Sequence, residues 1–183
     1  MTNKSQINLL KNGYLIICSL LLFLSLPVKA EWNIVTHTDI DSNQQTKVAH
    51  SENSDDYSLE IYRDGNNAIR ARFSMHNNLN RLNEKSCPTH QVDKRNPENT
   101  SINEASCIAH RKWAEFVLGY IAGNEVTSTF LHNIMNGSKI TFRFKLENSG
   151  YTETAFSLIG SKRALIDALG FNLIVLTDTG FSN

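Results

Sequence analysis

Apolar and polar side chains alternate along residues Ala68–Met75. Ile69, Ala71, Phe73 and Met75 fall on one side, with Arg70 and Arg72 on the other. The same period recurs where Ile140, Phe142, Phe144 and Leu146 alternate with Lys139, Thr141, Arg143 and Lys145. Only an extended strand with one buried and one wet face has that period, and such strands belong to antiparallel sheets. Leu59 and Ile61 alternate with Ser58 and Glu60 just before the turn sequence Asp64-Gly65-Asn66, so Tyr57–Arg63 and Ala68–Met75 read as a hairpin. A second turn, Asn148-Ser149-Gly150, leads into a partner strand over 151–159 with Phe156 and Leu158 inward. Residues 112–121 read as a sandwiched strand, apolar on both sides, with Phe116, Leu118 and Tyr120 on one face and Trp113, Val117 and Ile121 on the other.

Two short helices interrupt this pattern. Residues 127–137 carry Phe130, Leu131 and Ile134 on one side, Thr127 or Ser128 as the cap, and Asn136-Gly137 as the stop. The run from Ser161 to Gly170 is predicted as a second helix, capped by Ser161, with Ala164, Leu165 and Leu169 as its stripe. The stretch 76–111 reads as loop with a short strand at 89–93, and 171–177 as a last strand or extended tail. Six to eight strands and two short helices predict a mainly β chain: a β-sandwich or small barrel-like antiparallel domain.

The first thirty residues stand apart. Lys4 and Lys11 precede an apolar run over 14–26; Pro27 breaks it, and Val28-Lys29-Ala30 follows. That order is a secretory signal with cleavage between Ala30 and Glu31. The run is 13 residues long, short of the roughly 20 that a spanning helix needs. The domain organisation expected is a cleaved signal at 1–30, a polar segment at 31–56, and one β-rich domain at 57–183. The whole chain has 18 Lys plus Arg against 18 Asp plus Glu. Removing Lys4, Lys11 and Lys29 leaves 15 basic residues and a net charge near −3. A nucleic-acid partner calls for the opposite balance. No second apolar run approaches spanning length, so no membrane span is expected after cleavage.

Cleavage also discards Cys18 and leaves Cys87 and Cys107, which read as a disulfide in an exported chain. It closes a polar loop, 88–106, rich in Asn, Glu, Lys and Pro. The same cysteines begin two Cys-x-x-His pairs, Cys87-Pro-Thr-His90 and Cys107-Ile-Ala-His110. Four such ligands make a zinc site only if both thiols stay reduced, and export favours the disulfide. His37, His50, His76 and His132 have no nucleophile context in sequence. No hydrolase elbow, zinc-protease or phosphate-loop motif occurs. No catalytic, metal or cofactor-binding residue is therefore assigned, and no cofactor is expected.

Arg70, Arg72, Arg143 and Lys145 form a basic stripe for a carboxylate, phosphate or acidic partner if their strands are neighbours. Otherwise they are solvated faces paired with Glu60 and Glu153. Asn99-Thr-Ser101 and Asn136-Gly-Ser138 match the N-glycosylation pattern, which matters only in a eukaryotic source.

The C-terminal third combines a helix ending in Asn136-Gly137, a strand at 140–146, Ala155-Phe-Ser-Leu-Ile-Gly160 and Ala164-Leu-Ile-Asp-Ala-Leu169. It resembles the ending of the invasion-associated locus B family and of the VasI family of type VI secretion accessory proteins, over about 45 residues. That resemblance implies a periplasmic β domain with no catalytic residues to carry over. The function expected is an exported, periplasmic or secreted, non-enzymatic binding or accessory module. Its partner is another protein or an envelope component, met through the 88–106 loop. The alternative is a small hydrolase or metal-dependent enzyme in which His90, His110 and Asp93 converge.

Overall fold

The computed structural model describes residues 32–39, 43–76, 80–93 and 107–178. The signal segment, the Ala30/Glu31 junction, Asn99 and most of the 88–106 loop lie outside the described residues.

Eleven strands and two helices are described. In chain order they are β1 (Asn33–Thr38), β2 (Gln45–Glu52), β3 (Tyr57–Arg63), β4 (Ala68–Met75), β5 (Thr89–Val92), β6 (Cys107–Ala109), β7 (Trp113–Tyr120), β8 (Glu125–Thr127), α1 (Thr129–Asn136), β9 (Lys139–Lys145), β10 (Tyr151–Ser157), α2 (Ser161–Leu169) and β11 (Ile174–Leu176). Six strands form one antiparallel sheet in the order β1-β2-β3-β4-β7-β6, and three form a second in the order β10-β9-β5. The two sheets face each other as a sandwich, without barrel closure. A small parallel pair, β8 with β11, is the exception to the antiparallel pattern.

The alternating residues put their apolar sides between the sheets. Phe73 of the large sheet stacks on Phe142 of the small one, with centroids 5.0 Å apart. Phe144, Phe156 and Tyr57 close around it. Such ring pairs add about 1 kcal/mol each beyond the area they bury. The small sheet is narrower than the large one, and α2 packs over β1, β2 and β3, completing the inner cover. α1 packs against α2, burying Phe130, Leu131 and Ile134 as its spacing predicts.

Covalent and polar links tie the edges of the sandwich. Cys87, just before β5, is bonded to Cys107 in β6 with Cα atoms 6.3 Å apart. Because β5 and β6 are edge strands of different sheets, the disulfide staples one sheet to the other. At the opposite edge Trp32 Nε1 donates to the Ser157 carbonyl, while Asn53 Nδ2 donates to Thr154 Oγ1 and to the Ala155 carbonyl.

Several expectations are corrected. Residues 45–52, within the segment 31–56 set apart from the β-rich domain as polar, form β2 and join β1 to the main sheet. Their only apolar pair is Val48-Ala49, so pairing partners rather than periodicity define the strand. β7, read as apolar and covered on both faces, is covered on one: Phe116 and Leu118 are buried and Trp113 and Val117 half-buried, while Tyr120, expected beside Phe116 and Leu118, is exposed. A bulge opposite Ile69/Arg70 resets the alternation at this point. Gly119 is required there: a Cβ would lie 2.8 Å from Val126 Cγ2. Ser161 is not the cap of α2. Gly160 holds that position in a left-handed conformation, and the buried Ser161 hydroxyl donates to the Ile134 carbonyl in the last turn of α1.

Candidate functional site

The large sheet has a second, outer face that no described helix or sheet covers. Register fixes its composition: His50 lies beside Glu60, Glu60 beside Arg72 and Arg72 beside Glu115, while Tyr62 lies beside Arg70. Alternation sends these side chains outward because Ala49, Ile61, Ala71 and Phe116 take the inner positions.

Glu115 is the hub of this face. It accepts from Tyr62 Oη at 2.6 Å, from Arg72 Nη2 at 2.8 Å and from Arg70 Nη1 at 3.0 Å. Burial pushes its carboxyl up, but hydrogen bonds from Tyr62 and Arg72 and the two arginine charges outweigh that and hold it below the usual carboxylate range. The Tyr62 hydroxyl is pushed well above its ordinary value, first by burial and then by its bond to Glu115. Arg70 Nε also bonds Asp64 Oδ2 at 2.6 Å. Asp64 is pushed up by burial, but the Arg70 hydrogen bond and the backbone N–H groups of Ala68 and Asn66 leave it below its usual value. The Arg72 guanidinium lies over the Trp113 ring at 5.0 Å and the Tyr62 ring at 5.7 Å. Both arginines are thus neutralised and packed within the face.

The basic stripe does not form. Arg70 and Arg72 lie on β4, whose neighbours are β3 and β7, whereas Arg143 and Lys145 lie on β9 in the other sheet. Arg143 stands opposite Glu153, 3.9 Å away, and over the Tyr151 ring. The cross-strand reading of that pair is the one observed.

The two Cys-x-x-His pairs are used in different ways. Both thiols are spent in the disulfide and are not available as thiolate ligands. His90 is 2% exposed and stacks on Phe130 with centroids 3.6 Å apart. Burial pushes its pKa down to about 4. His110 is exposed and lies against Trp113 at the edge of the large sheet. Asp93 follows β5 and caps the start of β9, accepting from the N–H groups of Ser138 and Lys139. His90 is thus a core residue, His110 a surface residue and Asp93 a backbone cap.

Sequence reasoning passed over the acid–histidine cluster at the other end of the outer face. Glu60 Oε1 lies 3.4 Å from His50 Nδ1 and 3.5 Å from His37 Nε2. The missing signal was β2 itself: without its register, His37, His50 and Glu60 have no reason to meet. His76 Nε2 meets Ser58 Oγ at 2.9 Å on the same sheet. Among the described residues no group of three or more His, Cys, Asp or Glu side chains could hold a metal ion. Likewise no described helix is long and apolar enough to cross a membrane.

Comparison with family models, with curated proteins and with solved structures found no match to this chain.

Proposed function

We propose that this chain is exported, loses its first thirty residues, and serves as a non-enzymatic binding or accessory module for another protein or an envelope component. The observation that carries this reading is the Cys87–Cys107 staple, which fixes both ends of the 88–106 loop to the edges of two sheets. A polar segment held at its base on a rigid sandwich is a common way to present a binding loop. Disulfides persist in oxidising compartments, which supports export. The N-terminal signal pattern and the resemblance to the locus B and VasI families point to the periplasm.

The enzymatic alternative would have His90, His110 and Asp93 act together. The core stacking of His90, the exposure of His110 and the capping role of Asp93 weigh against it.

A photoreactive residue placed at Asn96, between the two cysteines in sequence, and another at Lys162, whose side chain is exposed on α2, test the reading in the producing cell. A discrete adduct from position 96 and none from 162 is expected. No adduct at 96, or labelling from 162 alone, overturns the loop as the contact surface.

A further inference from the structure

We infer that this chain pairs with a second copy of itself through β1, antiparallel and centred on Thr36, so that two six-stranded sheets join into one. β1 lies at the opposite edge of the large sheet from β6 and the disulfide, so this contact is separate from the 88–106 loop.

Among the described residues no strand pairs with the outer side of β1. Two contacts at the strand ends fix which of its backbone groups face that side. The Asp39 N–H donates to the Gln44 carbonyl at 2.9 Å, and the Asn53 N–H donates to the Tyr57 carbonyl at 3.0 Å. Bonded and non-bonded pairs alternate along an antiparallel ladder. The first contact therefore turns Asn33, Val35 and His37 toward β2. The second turns Ala49 and Ser51 toward β3 and leaves Thr46, Val48 and His50 for β1, which are the same three pairs. Ile34, Thr36 and Thr38 thus aim their N–H and C=O groups out of the sheet edge.

Exposed edges are ordinarily blunted by shortness, proline, charge, a bulge or a cover. The other edges here are. On β10 the Ala155 and Ser157 carbonyls accept from Asn53 Nδ2 and Trp32 Nε1. β5, β6, β8 and β11 are only three or four residues long. β1 has none of these devices. It runs for six residues without Pro, Gly, Lys, Arg, Asp or Glu, keeps an unbroken register with β2, and exposes every residue but Val35.

The spacing of the outward groups suits a copy of the same strand. With Thr36 opposite the partner's Thr36, Ile34 meets the partner's Thr38 and Thr38 meets the partner's Ile34. Every outward residue then faces an outward residue, and each pair can exchange two backbone hydrogen bonds. A slip of one residue would set outward groups against inward ones. Val35 falls opposite the partner's His37, so no like charges are opposed. The two-fold axis closes the assembly at a dimer. One strand pair is a small interface, so the dimer should dissociate in the micromolar range.

Sedimentation equilibrium of protein lacking residues 1–30, from about 1 to about 200 µM with the disulfide intact, should show a monomer–dimer equilibrium. Thr36→Pro removes an N–H that β2 does not use, at an edge where proline is tolerated; it should weaken the dimer at least tenfold. Thr36→Lys and Thr36→Glu each oppose like charges across the axis and should do the same alone, while an equimolar mixture of the two should recover the dimer. Thermal melts check that each variant is folded. Thr36 is exposed, so the lysine and glutamate variants keep the test open if Thr36→Pro is unstable. A chain that stays monomeric throughout overturns the pairing, as does a dimer that survives Thr36→Lys and Thr36→Glu, or a mixture of those two that recovers nothing.

Discussion

Acidification should cost this protein stability in part through His90. Its ring is buried against Phe130, and burial lowers its pKa to about 4, against about 6.5 in an unfolded chain. Above pH 6.5 the ring is neutral in both states and contributes no pH dependence. Between 6.5 and 4 the unfolded chain takes up a proton that the folded chain refuses, so stability falls as pH falls. At about 1.4 kcal/mol per pKa unit, the loss reaches about 3 kcal/mol near pH 4. Carboxylates such as Glu115 and Asp64 also lose their contribution on acidification, so the parent alone cannot isolate His90. Urea unfolding of the parent and of His90→Leu at pH 7 and pH 4, with the disulfide intact, separates the two. The stability gap between them should shift by about 3 kcal/mol in favour of the leucine variant at the lower pH. Parallel decline of both proteins, or an NMR titration placing His90 near 6.5, would refute the burial argument.

Two further substitutions test the packing. Glu115→Ala leaves Arg70, Arg72 and Tyr62 without their shared acceptor and should cost about 3 kcal/mol in urea unfolding at pH 7; the parent's advantage is present above the ordinary carboxylate pKa and fades as pH falls through the lowered folded value. Ser161→Ala removes the hydroxyl that donates to the Ile134 carbonyl and should cost about 1 to 2 kcal/mol. A cost of only a few tenths would mean that the link between the helices is not stabilising.

The legible part of the fold was the part written in periodicity. β3, β4, β9 and β10 alternate along their length, and their inner faces are the core. The two helices were legible through Phe130-Leu131-Ile134 and Ala164-Leu165-Leu169. What was hidden depends on partners distant in sequence. β2 carries one apolar pair and is held by β1 and β3, and β6 is three residues held by β7. The bulge in β7 depends on β4 opposite it, and no single-strand pattern reveals that. The site followed the same division. The disulfide was readable because Cys87 and Cys107 are the only two cysteines outside the first thirty residues, whereas the roles of His90 and His110 were not. Residues three apart in a Cys-x-x-His pair look alike in sequence, but one pair sends its histidine into the core and the other leaves it at a sheet edge. The Glu60 cluster and the Glu115 hub are cross-strand assemblies, visible only once register is known.

The most direct test of the account is the intact mass of the protein recovered from the cells that make it, alkylated before and after reduction. The account predicts a chain beginning at Glu31 that takes up no alkylating groups until it is reduced and then takes up two, on Cys87 and Cys107. A mass that retains the first thirty residues, or two thiols free before reduction, would contradict it.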